Sequence, residues 1–387
     1  MTGARYDAIV IGAGMVGLSV AYHLGRAGAG RIAVVERAGD AGQGSSLKAP
    51  AGFRHQFSTE VNVRLSLESA RRLAALADET GRRVTLHREG YLVLASDPDA
   101  WQEMREDAVL QRRLGVPVEE LTPAEAGRRV ALLGTDGLVG ASFCPIDGHF
   151  APGELLDALL EGARRVEVEF LFSRRVTGIA TTAGRVAGVA TDSGFIEAPA
   201  VVLAAGAWSA PIAATVGIDL PIRPSKRTLW RTPPMPDVPE RLPFVIDPGS
   251  HFVFVGRGQH QVAFGLPGVP VPPDPPTFDD LPHDGLLPAV RQAALRRAPR
   301  LATAPIETAW AGVYEMTPDA HPIVDALDAP AGLYVAAGFS GHGVMHALSV
   351  GQAVAEWVTE GRSHRVDVRP LALDRFAAGT RTERMVF

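Results

Sequence analysis

Cysteine, lysine and long uncharged apolar runs are scarce in this sequence. Cys144 is the only cysteine, so an internal disulfide is impossible and a thiolate-based metal site is all but excluded. No metal is expected. A single thiol fits a reducing, cytoplasmic setting. Lys48 and Lys226 are the only lysines, and arginine carries nearly all the basic charge. The net charge of −5 offers nothing to a polyanion, so nucleic acid is not an expected partner. No window of about 18 residues is both apolar and uncharged, so no membrane span is expected. The stretch AIVIGAGMVGLSVAYHL near the start does not read as a signal peptide. Asp7 interrupts its approach and no positive cluster precedes it.

What the chain does have is size and a glycine-rich start. Its 387 residues, 46% apolar and 21% charged, suffice for two domains with a sizeable core. Ala8–Ile11 is a continuous apolar run, the pattern of a strand buried on both faces. Gly12-Ala13-Gly14-Met15-Val16-Gly17 follows, then Leu18, Ala21, Tyr22 and Leu24 at helical spacing, then a second apolar run that ends at Glu36-Arg37. Each part has a physical task in holding a dinucleotide. Gly12 permits the tight turn, Gly14 lets a pyrophosphate approach the backbone, and Gly17 lets helix and strand pack closely. The N–H groups at the helix start receive the phosphates. Glu36, near the roughly 20-residue spacing expected of a ribose acceptor, would take its hydroxyl hydrogens. This motif alone does not choose between NAD and FAD.

A second glycine-rich turn stands near the other end, GFSGHGVMHALSVG at 338–351. It follows an apolar strand pattern over Gly332–Ala337 and precedes helical periodicity through Val344, Leu348, Val354 and Val358. The first N–H groups of such a helix have no intrahelical partners. Aimed at a negative charge, they would stabilise it by roughly 0.3–1 kcal/mol.

Four stretches resemble the D-amino-acid oxidase superfamily of flavoproteins, and within it glycine oxidase, sarcosine oxidase and proline dehydrogenase β subunits. They are GSSLKAPAGFRHQFSTEVNVRLSLES (44–69), VVLAAGAWSAPI (201–212), AWAGVYEMTPDAHPIVD (309–325) and GLYVAAGFSGHGVMHALSVGQAVAEW (332–357). The resemblance implies FAD, with adenine at the first motif and the isoalloxazine ring at Gly338, Ser340, Gly341, His342, Gly343, Val344 and Met345. It also implies that Ser45, Ser46 and Lys48 line pyrophosphate and ring, that Val176 offers backbone groups to adenine, and that Ala205 and Gly206 pack beside the cofactor. The cysteine that tethers flavin in sarcosine oxidases is matched by Gly312, and the tethering histidine of dimethylglycine dehydrogenase falls near Lys48, so FAD is expected to be non-covalent.

The expected fold class is α/β plus β: a Rossmann-like FAD-binding domain of glutathione-reductase type with a second, β-rich substrate domain. The expected division is 1–85, 140–218 and 306–387 for the first, and 86–139 and 219–305 for the second. Strand-like runs at 226–232, 243–247, 251–256 and 260–265 alternate with the proline-rich TPPMPDVPERLP and LPGVPVPPDPPTFDDLP, which are neither helix nor central strand. The segment from about Arg365 is expected to pack on the surface or fray.

The expected reaction takes a hydride from the carbon beside an amine nitrogen, on a secondary amine or amino acid, to flavin N5. It needs a neutral amine held in a dry pocket rather than a strong acid–base pair. By the resemblance, Arg54 clamps a substrate carboxylate, for which a planar fork is suited, and Tyr314 approaches the substrate beside the flavin. His251 and His346 are further candidates to face the pocket. Met345 and Ala263 stand where sarcosine oxidases carry lysines, one for the carboxylate and one for reaction with oxygen. The pocket is therefore expected to be less cationic than theirs, with oxygen or another carrier as acceptor; an oligomer is compatible. Two other readings remain: oxidation of a 2-hydroxy acid, which wants a base such as His251 or His346, and a flavin-bearing subunit of a larger complex.

Overall fold

A computed structural model describes residues 5–266, 268–271, 281–379 and 382–385 of the chain. The apolar run Ala8–Ile11 forms strand β1, Met15–Arg26 forms helix α1, and Ile32–Val35 forms strand β2. β1 lies at the centre of a six-stranded sheet. It pairs in parallel with β2 and with Ala200–Leu203; β2 pairs in parallel with Glu169–Leu171, and Ala200–Leu203 with Leu333–Ala337. Ile323–Ala326 closes one edge antiparallel. The continuous apolar runs follow from two-sided burial. Val10, Val34 and Val202 face a core shared with the helices, while Ile9, Ile11, Val35 and Val201 face a core under a three-stranded meander of Val176–Thr182, Arg185–Thr191 and Gly194–Glu197. α1 packs against the helix Gly343–Glu360, so the glycine-rich starts of both helices come to one edge of the sheet.

A nine-stranded sheet forms the second body of the structure. It includes Arg223–Arg231, Phe244–Asp247, Phe252–Gly256 and Val262–Gly265, where the sequence shows strand-like runs. Tyr91–Ala95 and Gly140–Cys144 pair antiparallel within it. Thr308–Met316 pairs with Arg223–Arg231 along its whole length, from Arg223↔Met316 to Arg231↔Thr308. One face is covered by helices such as Leu287–Arg297, over a core containing Trp230, Phe252, Phe254 and Phe264. The opposite face presents Tyr91, Phe244, Ile246, Val255, Ala263 and Trp310. Most of the proline-rich run LPGVPVPPDPPTFDDLP lies outside the described residues.

Of the two alternatives expected for the C-terminal segment, packing or fraying, the structure shows packing over its described residues. Val366, Val368 and Leu371 join the main core. The buried carboxylate of Glu383 accepts from Ser58 N (2.7 Å), Ser58 Oγ (2.6 Å), Thr59 Oγ1 (2.7 Å) and Asn62 Nδ2 (2.9 Å). These groups surround the start of the long helix Glu60–Thr80, whose N-cap Thr59 makes no cap of its own. An acid from the distant tail thus satisfies N–H and hydroxyl donors at a positive helix end.

Candidate functional site

The turn between β1 and α1 is built as its glycines demand. Gly12 has φ +104°, and a Cβ there would lie 2.6 Å from the Ala204 carbonyl oxygen. A Cβ at Gly17 would lie 2.0 Å from the Gly12 carbonyl oxygen, so helix and strand meet backbone to backbone. Gly14 faces open space; among the described residues a Cβ there would meet only Ser46 Oγ, at 3.3 Å. Met15 N donates to Ser46 Oγ (2.9 Å), which fixes the 44–48 loop over the turn. The Glu36 carboxylate is held at the end of β2 by Ala13 N (2.8 Å) and Ala38 N (2.9 Å).

A cavity of about 500 Å³ opens on this turn. Gly12, Gly14, Glu36, Arg37, Val176, Ala205 and Gly206 line it, with Arg174, Trp208 and Ile212. Arg37 stacks on Trp208, its Cζ 3.7 Å from the ring. Ala13 and Gly17 serve from behind, through the Glu36 contact and the close packing.

A smaller cavity of about 170 Å³ continues from it; Met15, Val16, Ser45, Ser46 and Glu315 belong to the walls of both. One side is the late turn, Ser340 to Met345. The other is the face of the nine-stranded sheet opposite its helices, with Tyr91, Phe244, Ile246, Arg227 and Tyr314, while Lys48, Arg54 and His251 complete the wall. Tyr314 packs against Gly341, where a Cβ would come within 2.2 Å of its ring.

Several predicted residues have duties the sequence does not disclose. Arg54 is buried, stacks on Phe57 with its Cζ at 3.9 Å, and donates to the main-chain oxygens of Gln56 and Met385. Ser340 Oγ accepts from Thr317 N (3.1 Å) and braces the turn. Gly338 N donates to Glu315 Oε2 (2.8 Å). His346 is fully buried behind the turn, its Nε2 2.9 Å from Ser66 Oγ. His342 reaches the cavity wall, and both its ring nitrogens are buried without a partner among the described residues. Burial, then the neighbouring His346 and Arg54, hold His342 well below the usual imidazole range, so its ring is neutral. His251 has φ +56° and is exposed at the cavity mouth.

Two wall residues were not anticipated. Glu315 sits where the cavities join; burial pushes its carboxyl up to about 7 despite the N–H groups of Gly338 and Phe339. It is the lone acid in the strand Thr308–Met316. Arg227 extends from Arg223–Arg231 with its Cζ 4.6 Å from the centre of the Tyr314 ring. In that strand Pro224, Thr228 and Trp230 are buried, and alternation from Trp230 would have put Arg227 on the cavity face.

Behind the wall, His55, Cys144 and Asp147 bring their donor atoms within 4.8 Å of one another. Asp147 accepts from His55 N (2.9 Å) and lies 2.6 Å from His55 Nδ1. Burial, then Asp147, push the Cys144 thiol far up, which keeps it protonated rather than a metal-binding thiolate. The cluster fastens the 54–57 loop to the second sheet.

The paired cavities fit a flavin dinucleotide. The glycine cradle admits a pyrophosphate where side chains would block it. The Glu36 carboxylate lines the larger cavity. The helix Gly343–Glu360 opens on the smaller cavity with no side-chain cap at His342, beside a neutral imidazole whose nitrogens lack partners among the described residues. Comparison with known proteins agrees. A family described as FAD dependent oxidoreductase matches residues 7–357. FAD-dependent oxidoreductase domain-containing protein 1 of Bos taurus is 31% identical, over 98% of this chain and 86% of its own length. Glycine oxidase of Geobacillus kaustophilus (strain HTA426) is 29% identical, over 96% of this chain and 97% of its own. The crystal structure of L-proline dehydrogenase from P. horikoshii superposes with a TM-score of 0.88 at 30% identity, covering 98% of this chain and 100% of that one.

Proposed function

The chain belongs to the family of FAD-dependent oxidoreductases, and on that premise we propose that it oxidises the C–N bond of a secondary amine or amino acid to an imine. FAD, which the residues of the two cavities would hold, would supply the electron acceptor for the hydride that leaves the carbon beside the nitrogen. The observation that carries this reading is the smaller cavity, with a helix mouth on one side and an aromatic sheet face bearing cations on the other.

Each residue's part follows from its surroundings. The first N–H groups of Gly343–Glu360 stabilise negative charge at the ring edge. Tyr91, Phe244 and Ile246 keep water from the reacting carbon and hold the substrate against the opposite wall. Tyr314 presents its ring to the substrate, and the acid group of an amino acid is held on the cationic side where Arg54 and Arg227 stand. The adenosine end lies at Glu36, Val176 and Gly206. The division into an FAD-binding and a substrate domain, and a reducing compartment for the buried Cys144, belong to the same reading. With Ala263 where the resemblance places a lysine, a carrier is favoured over oxygen as final acceptor.

Oxidation of a 2-hydroxy acid is a second reading, favoured by the ring nitrogens of His342, which have no partner among the described residues. An imidazole held so far down is a poor proton acceptor, which weighs against it. Anaerobic titration of the FAD-loaded protein decides. N-methyl, cyclic and D-amino acids are added beside 2-hydroxy acids while the visible flavin band is followed. Bleaching by an amine substrate is expected. Bleaching by 2-hydroxy acids alone, or by nothing in the panel, would refute the proposal. Admitting air afterwards reports whether oxygen takes the electrons.

A further inference from the structure

Given the proposed oxidation of an amino acid at the smaller cavity, we infer that Arg227, on the sheet wall, is the side chain that binds the substrate's carboxylate. Two arginines line that cavity, and they are placed differently. Arg54 directs two of its N–H groups to the main-chain oxygens of Gln56 and Met385 and lies over Phe57. It fastens the docked C-terminal segment to the cavity loop. Arg227 has no such anchorage among the described residues. Its Nε is buried without a partner there, and its aromatic contact is the face of Tyr314.

Other interior arginines show what a settled guanidinium looks like here. Arg297 donates to Asp247 (2.7 Å), Asp136 O (2.8 Å) and Ser96 Oγ (2.5 Å). Arg375 donates to both carboxylate oxygens of Asp319 (2.8 and 3.1 Å). Arg227 has a buried donor and, among the described residues, no acid to meet it. Burial holds its pKa below the usual arginine range, the sign of a cation short of solvation. A half-buried cation with an unpartnered buried donor is costly, and a bound anion relieves it.

The anion's place lies on the cavity wall. The cross-strand neighbour of Arg227 in Thr308–Met316 is Gly312, over which the Lys48 side chain packs, and Tyr314 occupies the next position on the same face. A carboxylate in the cavity beside Arg227 accepts from its guanidinium while the rest of the ligand extends along the cavity wall toward Tyr91 and Phe244. The planar fork of arginine is matched to a carboxylate, and less well to an uncharged amide.

The test uses the FAD-loaded protein with benzoate, a carboxylate without an oxidisable C–N bond, and benzamide, its uncharged counterpart. Binding is read from perturbation of the visible flavin spectrum, with FAD content and melting temperature recorded alongside. Wild type is expected to bind benzoate more tightly than benzamide. Arg227→Gln is expected to bind benzoate at least tenfold more weakly, with benzamide and FAD content unchanged. Arg227→Met, which keeps an unbranched stem, is read in the same way if the glutamine variant does not load FAD. Equal benzoate binding by wild type and variant would overturn the assignment. So would a wild type without preference for the acid, or a variant that loses FAD affinity but not benzoate. These outcomes are separate from the proposed reaction, since benzoate is never oxidised and an amine that bleaches the flavin does so regardless of them.

Discussion

Replacing Glu315 with glutamine should raise stability at alkaline pH and leave it nearly unchanged in acid. The carboxyl rises from 4.5 to about 7 because burial disfavours its charge more than the N–H groups of Gly338 and Phe339 favour it. At 1.36 kcal/mol per pH unit this difference is worth roughly 3 kcal/mol, and water in the open cavity reduces it to about 2 kcal/mol. The sign follows from proton uptake. Between pH 4.5 and 7 the folded protein holds more protons at this group than the unfolded chain, so stability falls as pH rises through that window. The stabilisation is fully present below 4.5 and gone above about 7. Glutamine never ionises, and its carbonyl oxygen still accepts from Gly338 N. Chemical denaturation of the apoprotein at a series of pH values between about 5 and 8.5 is the assay. Wild type should lose about 2 kcal/mol relative to Glu315→Gln across the series, with the curves converging at the acid end. Parallel curves, or a glutamine variant less stable than wild type at high pH, would refute the reasoning.

Two further substitutions probe the frame of the site. Gly17→Ala places a methyl 2.0 Å from the Gly12 carbonyl oxygen; forcing helix from strand should cost about 1–3 kcal/mol and abolish FAD loading, read from the visible absorbance of the purified protein. Glu383→Ala strands the donors of Ser58, Thr59 and Asn62 and should lower stability by about 3 kcal/mol, measured by denaturant unfolding. Burial pushes the Glu383 carboxyl up, but the hydrogen bonds from Ser58, Thr59 and Asn62 outweigh it and hold it below the usual range. Its contribution is therefore present above the ordinary glutamate pKa and lost as pH falls, the opposite slope to Glu315.

The parts of this molecule that were legible in the sequence are those with a local physical signature. Ala8–Ile11 and Ile32–Val35 read as two-sided strands because every position is apolar, and the cradle reads from Gly12 and Gly17 because no other residue fits there. The late turn reads because Gly338, Gly341 and Gly343 crowd one helix start. What stayed hidden depends on long-range pairing. Gly140–Cys144 and Thr308–Met316, grouped in sequence with segments of the first sheet, hydrogen-bond into the second, and alternation does not say which sheet a strand joins. The sequence leaves the tail between packing and fraying because its acid finds donors 325 residues away. Arg227 and Glu315 carry no motif; their significance lies in the cavity they border.

A crystal structure of the FAD-loaded protein tests the central claim most directly. The account predicts adenosine beside Glu36 and Trp208, pyrophosphate over Gly14, and the isoalloxazine ring between the 340–345 turn and the face bearing Tyr91 and Phe244. A ring bound outside the smaller cavity, or a dinucleotide that never reaches the late turn, would contradict it.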